Sequence, residues 1–182
     1  GINNMKNSIK LILIASLFAG SIAPTVVEAK VPADKREIVE KLKKKRGGKV
    51  LGTRVGKKVA EAFDLYSNDD TQGALAILLE LEPKGEFDKA YVDRYIGSLL
   101  AVVDGKTDDA LERLERAKVA DVLPFDDHAS VIRTIADLSL AEQKYEYAIK
   151  MYQEYLDFSY NLDPNVFVRM ANAHFELKQY EK

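Results

Sequence analysis

Three short segments constrain the fold more than anything else in the chain. Each centres on an alanine in a similar setting: Ala74 in TQGALAILLEL, Ala110 in TDDALERLERA and Ala148 in YEYAIKMYQEYL. The separations are 36 and 38 residues, and the apolar residues around each alanine fall at helical spacing. Twelve residues before each stands a second small residue, Ala62, Ser98 and Ala136. Small residues at both places let two helices cross at close backbone distance, where a larger side chain would wedge them apart. The spacing therefore predicts a helix pair that recurs. First helices are expected over 55–67, 87–103, 125–142 and about 163–177. In the last of these, VRMANAHFELKQYEK, Ala171 takes the small position. Tyr180 stands where Thr71, Thr107 and Tyr145 stand in the earlier units. The next small residue of that unit would fall one place beyond Lys182, so the chain reads as a fragment with more repeats to follow.

The corners between helices carry their own signals. Asp69-Asp70 precede one second helix, Gly105 marks the next corner, and Lys178-Gln179 occupy the corner expected in the last unit. Asp or Thr at such a place accepts from the free N–H groups of the following helix. The Asp-Asp pairs at 69, 108 and 126 lack the alternating oxygen spacing of a calcium loop, and capping explains them better. The chain has no Cys, which excludes disulfides, thiolate metal sites and thiol catalysis. Its two histidines, His128 and His174, lie 46 residues apart, which argues against an imidazole metal site. His128 reads as a solvated polar residue and His174 as packing. No catalytic set stands out, so neither an enzyme nor a cofactor is expected.

Residues 1–29 read as a secretory signal peptide. Lys6 and Lys10 precede an apolar run from Leu11 to Ala19, and Gly20 and Pro24 end it. Val27-Glu28-Ala29 suits cleavage after Ala29. The run is shorter than the roughly 20 residues that a spanning helix needs. Export through a cleaved leader is the expectation.

Charge then divides the remainder. Residues 30–58 hold 12 Lys or Arg against Asp34, Glu37 and Glu40, whereas 59–182 hold 13 basic and 25 acidic residues. Such asymmetry suggests a tail and a body with different partners. Within a basic linker over 30–54, Ile38, Val39 and Leu42 allow a short helix from about Asp34 to Arg46, ended by Gly47-Gly48. Gly52-Thr-Arg-Val-Gly56-Lys57-Lys58 approaches a phosphate-binding loop but is one residue short. It also puts Lys58 where a Ser or Thr should sit, and no apolar strand precedes it. No aromatic or amide residues interleave the charges, so nucleic acid is not expected. Anionic lipid or an acidic partner fits Lys30 to Lys58, at ~1 kcal/mol per cation near a surface. A solvated linker fits as well.

The repeated pairs resemble the tetratricopeptide repeat family over Val55 to Lys182, most closely in AEQKYEYAIKMY and RMANAHFELKQYEK. The period is close to the family's 34 residues. There are departures: Glu61 and Ser139 replace large residues, and Ile96-Gly97 sit one place earlier than the register around Ser98 demands. The resemblance implies an all-α, TPR-like α-solenoid of antiparallel helix pairs. Its units would be 55–86, 87–124, 125–162 and a truncated 163–182. It also implies recognition of a protein or peptide along the first helices. The peptide-facing positions carried over by register are Val59, Phe63, Tyr95, Leu99, Arg133, Asp137, Val168 and Asn172. The packing positions are Ala62, Ala74, Ser98, Ala110, Ala136, Ala148 and Ala171. That groove is apolar and aromatic in its first half and polar in its second. The basic opening, KKVAEAFDLYSNDDTQGALAILLEL and DPNVFVRMANAHFELKQYEK are similar to periplasmic members that accompany TonB energy-transduction systems in Gram-negative bacteria. The expected role is an exported scaffold for a partner of the cell envelope, or a peripheral envelope factor held by its basic segment.

Overall fold

A computed structural model describes residues 31–180, with side chains through Lys178. The leader, its cleavage point after Ala29, and Lys30 lie outside the described residues. All regular structure among the described residues is helical. A 3-10 turn, Ala33–Lys35, leads into α1 (Arg36–Arg46). Then come α2 (Thr53–Ser67), α3 (Thr71–Leu79), α4 (Glu86–Leu100) and α5 (Thr107–Ala120). They are followed by α6 (Phe125–Ala141), α7 (Tyr145–Ser159) and α8 (Pro164–Tyr180). None of these is long and apolar enough to cross a membrane. The chain divides into two compact units. Arg46–Pro124 is one, and 31–45 with 125–180 is the other.

In the 46–124 unit, α2 packs with α3 and α4 with α5. Val55, Val59 and Ala62 make the buried stripe of α2, at the spacing of successive helical turns. Ala62 and Ala74 are both fully buried in the first pair. In the second pair the close approach falls at Gly97. A Cβ there would lie 2.7 Å from Leu114 Cγ and 3.1 Å from the Ala110 carbonyl oxygen. Ser98, the small residue expected there by counting, is only half-buried. The register of this pair is one residue earlier, because only a residue without Cβ fits against Leu114.

In the other unit, α6 packs with α7 and α7 with α8. Ala136 and Ala148 are fully buried in the first of these contacts. On α8 the buried residues are Val166 and Ala173, two turns apart, and Ala171 is exposed. Helix α1 belongs to this unit apart from its last residue. Val31, Val39 and Phe125 form a buried cluster, with Leu42, Phe158 and Tyr160 packed against it. Phe125 and Phe158 stack with centroids 5.0 Å apart. The basic segment is therefore not a loose tail over 36–46: its apolar stripe is part of a core.

The corners rest on left-handed residues at Asp69, Gly105, Asp121, Gln143 and Tyr160. Asp70 caps α3 by accepting from the Gly73 amide at 2.8 Å. Asp163 does the same for α8, accepting from the Asn165 amide at 3.0 Å, and Pro164 opens that helix. Asp108, Asp109, Asp126 and Asp127 lie in first turns, where their charge suits the helix dipole. At Lys178-Gln179 the helix does not turn; α8 continues to Tyr180, and neither residue takes a positive φ.

Candidate functional site

Two faces of the first helices carry the residues singled out by register, one in each unit. The face on the 46–124 unit is aromatic. Phe63 on α2 is 40% exposed, whereas Val59, Tyr95 and Leu99 are buried. Tyr95 and Leu99 point into the helix packing, since α4 buries Val92, Tyr95, Ile96 and Leu99 on successive turns. What α4 turns outward instead is Tyr91 and Arg94, with the guanidinium 5.7 Å from the Tyr91 ring centroid. Phe87 lies 6.0 Å from the same ring. Burial pushes the Tyr95 phenol up to about 12, helped by Tyr91, Tyr66 and Asp64 and opposed by Arg94. Tyr66 and Asp64 of α2 thus act electrostatically on Tyr95 of α4. Burial, then Asp69, also raises the Tyr66 phenol. The chemistry on offer is stacking and hydroxyl hydrogen bonding, with one cation beside it.

The face on the other unit is ionic. Arg133 and Asp137 stand one turn apart on α6, and both are engaged with the protein itself. Asp137 is 3% exposed. It accepts from the Tyr152 hydroxyl of α7 at 2.5 Å and from the Arg169 guanidinium of α8. Arg133 donates to Asp163 at 2.9 Å and lies 5.7 Å from the Tyr155 ring. One carboxylate thus ties together three helices. Burial alone would lower the Arg169 guanidinium; Asp137 outweighs it, and the group sits above its ordinary value. Arg133 shows the same balance, with burial opposed by Asp137, Tyr155 and Asp163. Burial, then the Asp137 charge, pushes the Tyr152 phenol upward, so it stays a neutral donor. Both arginines remain charged and paired. This group fixes helix positions and leaves little for an incoming ligand. Beyond it, Val168 is 68% exposed, Phe167 46% and Phe175 59%, and Asn172 is half-buried.

Counting by register did not reach Tyr66, Tyr91, Tyr152, Asp163 or Arg169. The ionic partners do have a signature. Asp137 and Arg169 lie 32 residues apart, and Arg133 and Asp163 lie 30 apart. Opposite charges about one repeat apart are candidates for cross-helix pairs. The histidines also differ from expectation. His128 is buried, its ring 4.8 Å from that of Phe158, because it lies on the side of α6 that meets the aromatic cluster. His174 is exposed. Gly52, part of the loop-like basic sequence, donates its amide to the Asp88 carboxylate at 3.2 Å. Gly56, Lys57 and Lys58 lie inside α2. No group of three or more His, Asp or Glu among the described residues could hold a metal ion.

Comparison with protein families, curated proteins and solved structures gives no match for this chain.

Proposed function

We propose that this chain is an exported helical-repeat scaffold of the tetratricopeptide type, and that it binds a partner protein or peptide of the cell envelope. The observation that carries the reading is the repeated crossing. Three successive helix pairs each bury a small residue on both helices: Ala62 with Ala74, Gly97 with Ala110, and Ala136 with Ala148. Such pairs suit stacking into a solenoid whose first helices face a ligand. The exposed Phe63 and Val168 sit on first helices and give a partner apolar anchors. The leader supports a periplasmic location. The likeness to repeat proteins beside TonB systems makes an accessory role there the narrower form of the proposal. The reading is of binding, not catalysis.

A second reading has its own support. Lys41, Lys44, Lys45 and Lys49 are exposed at and just beyond the C-terminal half of α1, where cations also suit the helix dipole. They fit an anionic lipid surface or an acidic partner, and make the chain a peripheral envelope factor. Deleting the segment would remove Val39 and Leu42 from the core, so the test is by charge. Lys41, Lys44, Lys45 and Lys49 are changed together to Gln. Partner capture from envelope extracts and sedimentation with anionic vesicles are then measured. The scaffold reading expects capture unchanged and no vesicle binding by either protein; vesicle binding that the parent shows and the variant loses would favour the second reading. Loss of capture with the fold intact would favour the second reading.

A further inference from the structure

A cavity of about 330 Å³ opens on the 46–124 unit. Leu81 and Pro83, from the connection between α3 and α4, form an apolar wall with Val92 of α4. Lys89 and Asp93 of α4, with Arg113 and Arg116 of α5, complete the lining. Asp93 holds both guanidiniums. It accepts from Arg113 Nη1 at 2.9 Å, and from Arg116 Nε at 3.1 Å and Nη2 at 2.9 Å. Glu112 takes Arg116 Nη1 at 3.2 Å. Arg116 thus uses three of its five N–H groups. Arg113 uses one of its five, and Lys89 has no ion pair among the described residues. Three lining cations face one lining carboxylate, and one positive charge still remains when Glu112 is counted.

We propose that this cavity binds an acidic peptide segment of the partner, in which an Asp or Glu lies next to an apolar residue. The proposal rests on the scaffold reading and supplies the chemistry of what is bound. The carboxylate meets Arg113 and Lys89, and its apolar neighbour lies on Leu81, Pro83 and Val92. Asp93 fixes the Arg113 rotamer before the ligand arrives, which lowers the ordering cost of the contact. Charge-assisted bonds of this type are about twice as strong as neutral ones. Apolar and cationic groups in one lining suit an anion with an apolar body better than a fully hydrated phosphate. The volume is near the lower end of small-ligand sites, about 300–1,000 Å³, and so suits one or two side chains rather than a folded surface. The lining joins a first helix, α4, to a second helix, α5.

The test uses the full chain and a fluorescein-labelled octapeptide of alternating Leu and Glu, read by fluorescence polarisation. A Leu–Gln peptide is the neutral control. The Lys89→Gln/Arg113→Gln protein leaves the Asp93–Arg116 pair in place. The Leu–Glu peptide is expected to bind, with the Gln peptide and the double variant each weaker by roughly tenfold. Equal binding of the two peptides, or an unchanged double variant, overturns the proposal. So does inorganic phosphate displacing the peptide at equal concentration, which would make this a free-anion site. If the double variant melts early, Lys89→Gln alone carries the test, because that side chain is exposed and unpaired. Envelope crosslinking through Val168, in the other unit, reads the scaffold function separately. Loss of peptide binding with crosslinking intact removes only this site; loss of both removes the scaffold reading too.

Discussion

The pairs α4/α5 and α6/α7 meet the same packing demand with different chemistry. In α4/α5 the helices approach so closely that Gly97 has no room for a Cβ against Leu114. Steric fit sets that crossing, and ion pairs from Asp93 to Arg113 and Arg116 join the two helices at its edge, partly in water. In α6/α7 the crossing residues are alanines, and Asp137 adds a buried charge joined to Tyr152 and Arg169. Steric fit tolerates any apolar partner of the right size. A buried carboxylate tolerates only the arrangement that satisfies it, since desolvating it unpaired is costly. The α4/α5 pair is therefore demanding in side-chain size, and the α6/α7 pair is demanding in polar geometry.

That contrast can be broken in order of expected size. Asp137→Ala leaves the Arg169 guanidinium partly buried and without its carboxylate, at a cost of ~3–5 kcal/mol. Urea unfolding of the variant measures it, and a loss below about 1 kcal/mol would mean that water supplies the missing partner. Gly97→Ala should cost ~1–3 kcal/mol by overpacking against Leu114, whereas Ser98→Ala should stay within ~0.5 kcal/mol. If the two costs are reversed, the register of α4/α5 is the one that counting predicts. Asp70→Ala removes the cap on Gly73 and should cost about 1 kcal/mol.

The smallest effect is nil at neutral pH. The Tyr95 phenol titrates near 12 in the folded protein against 10 when unfolded. The folded state then holds its proton more tightly, so stability is full below pH 10 and falls as pH rises towards about 12. Tyr152 shifts in the same direction. Tyr95→Phe should flatten part of that alkaline loss, measured as the urea midpoint between pH 9 and 12 relative to the parent chain; an unchanged slope contradicts the burial of that hydroxyl.

Helix positions were legible in the sequence because apolar spacing and small residues repeat at about the same period. Ala62, Ala74, Ala110, Ala136 and Ala148, singled out by counting, are all fully buried, and Ser98 and Ala171 are not. Counting from a distant anchor assumes connections of equal length, and one residue of slack moves the crossing to Gly97. For Ala171, α8 instead meets α7 through Val166 and Ala173. The candidate faces were less legible. Tyr95 and Leu99 carry the right residue type, but a rotation of one position decides between core and surface. Asp137 and Arg133 look like ligand-binding groups in one dimension. Their partners, Arg169 and Asp163, are brought to them only by the packing of α8. The packed role of α1 was also hidden, because Val39 and Leu42 are a weak stripe among many lysines.

The central claim is that first-helix faces bind an envelope partner. The direct measurement places a photocrosslinking residue at Phe63, at Val168 and at Val119 of the second helix α5, which is 77% exposed. Irradiation is carried out in intact cells. The scaffold account predicts the same discrete adduct from Phe63 and Val168 and none from Val119. Equal adducts from all three positions, or an adduct from Val119 alone, would contradict it.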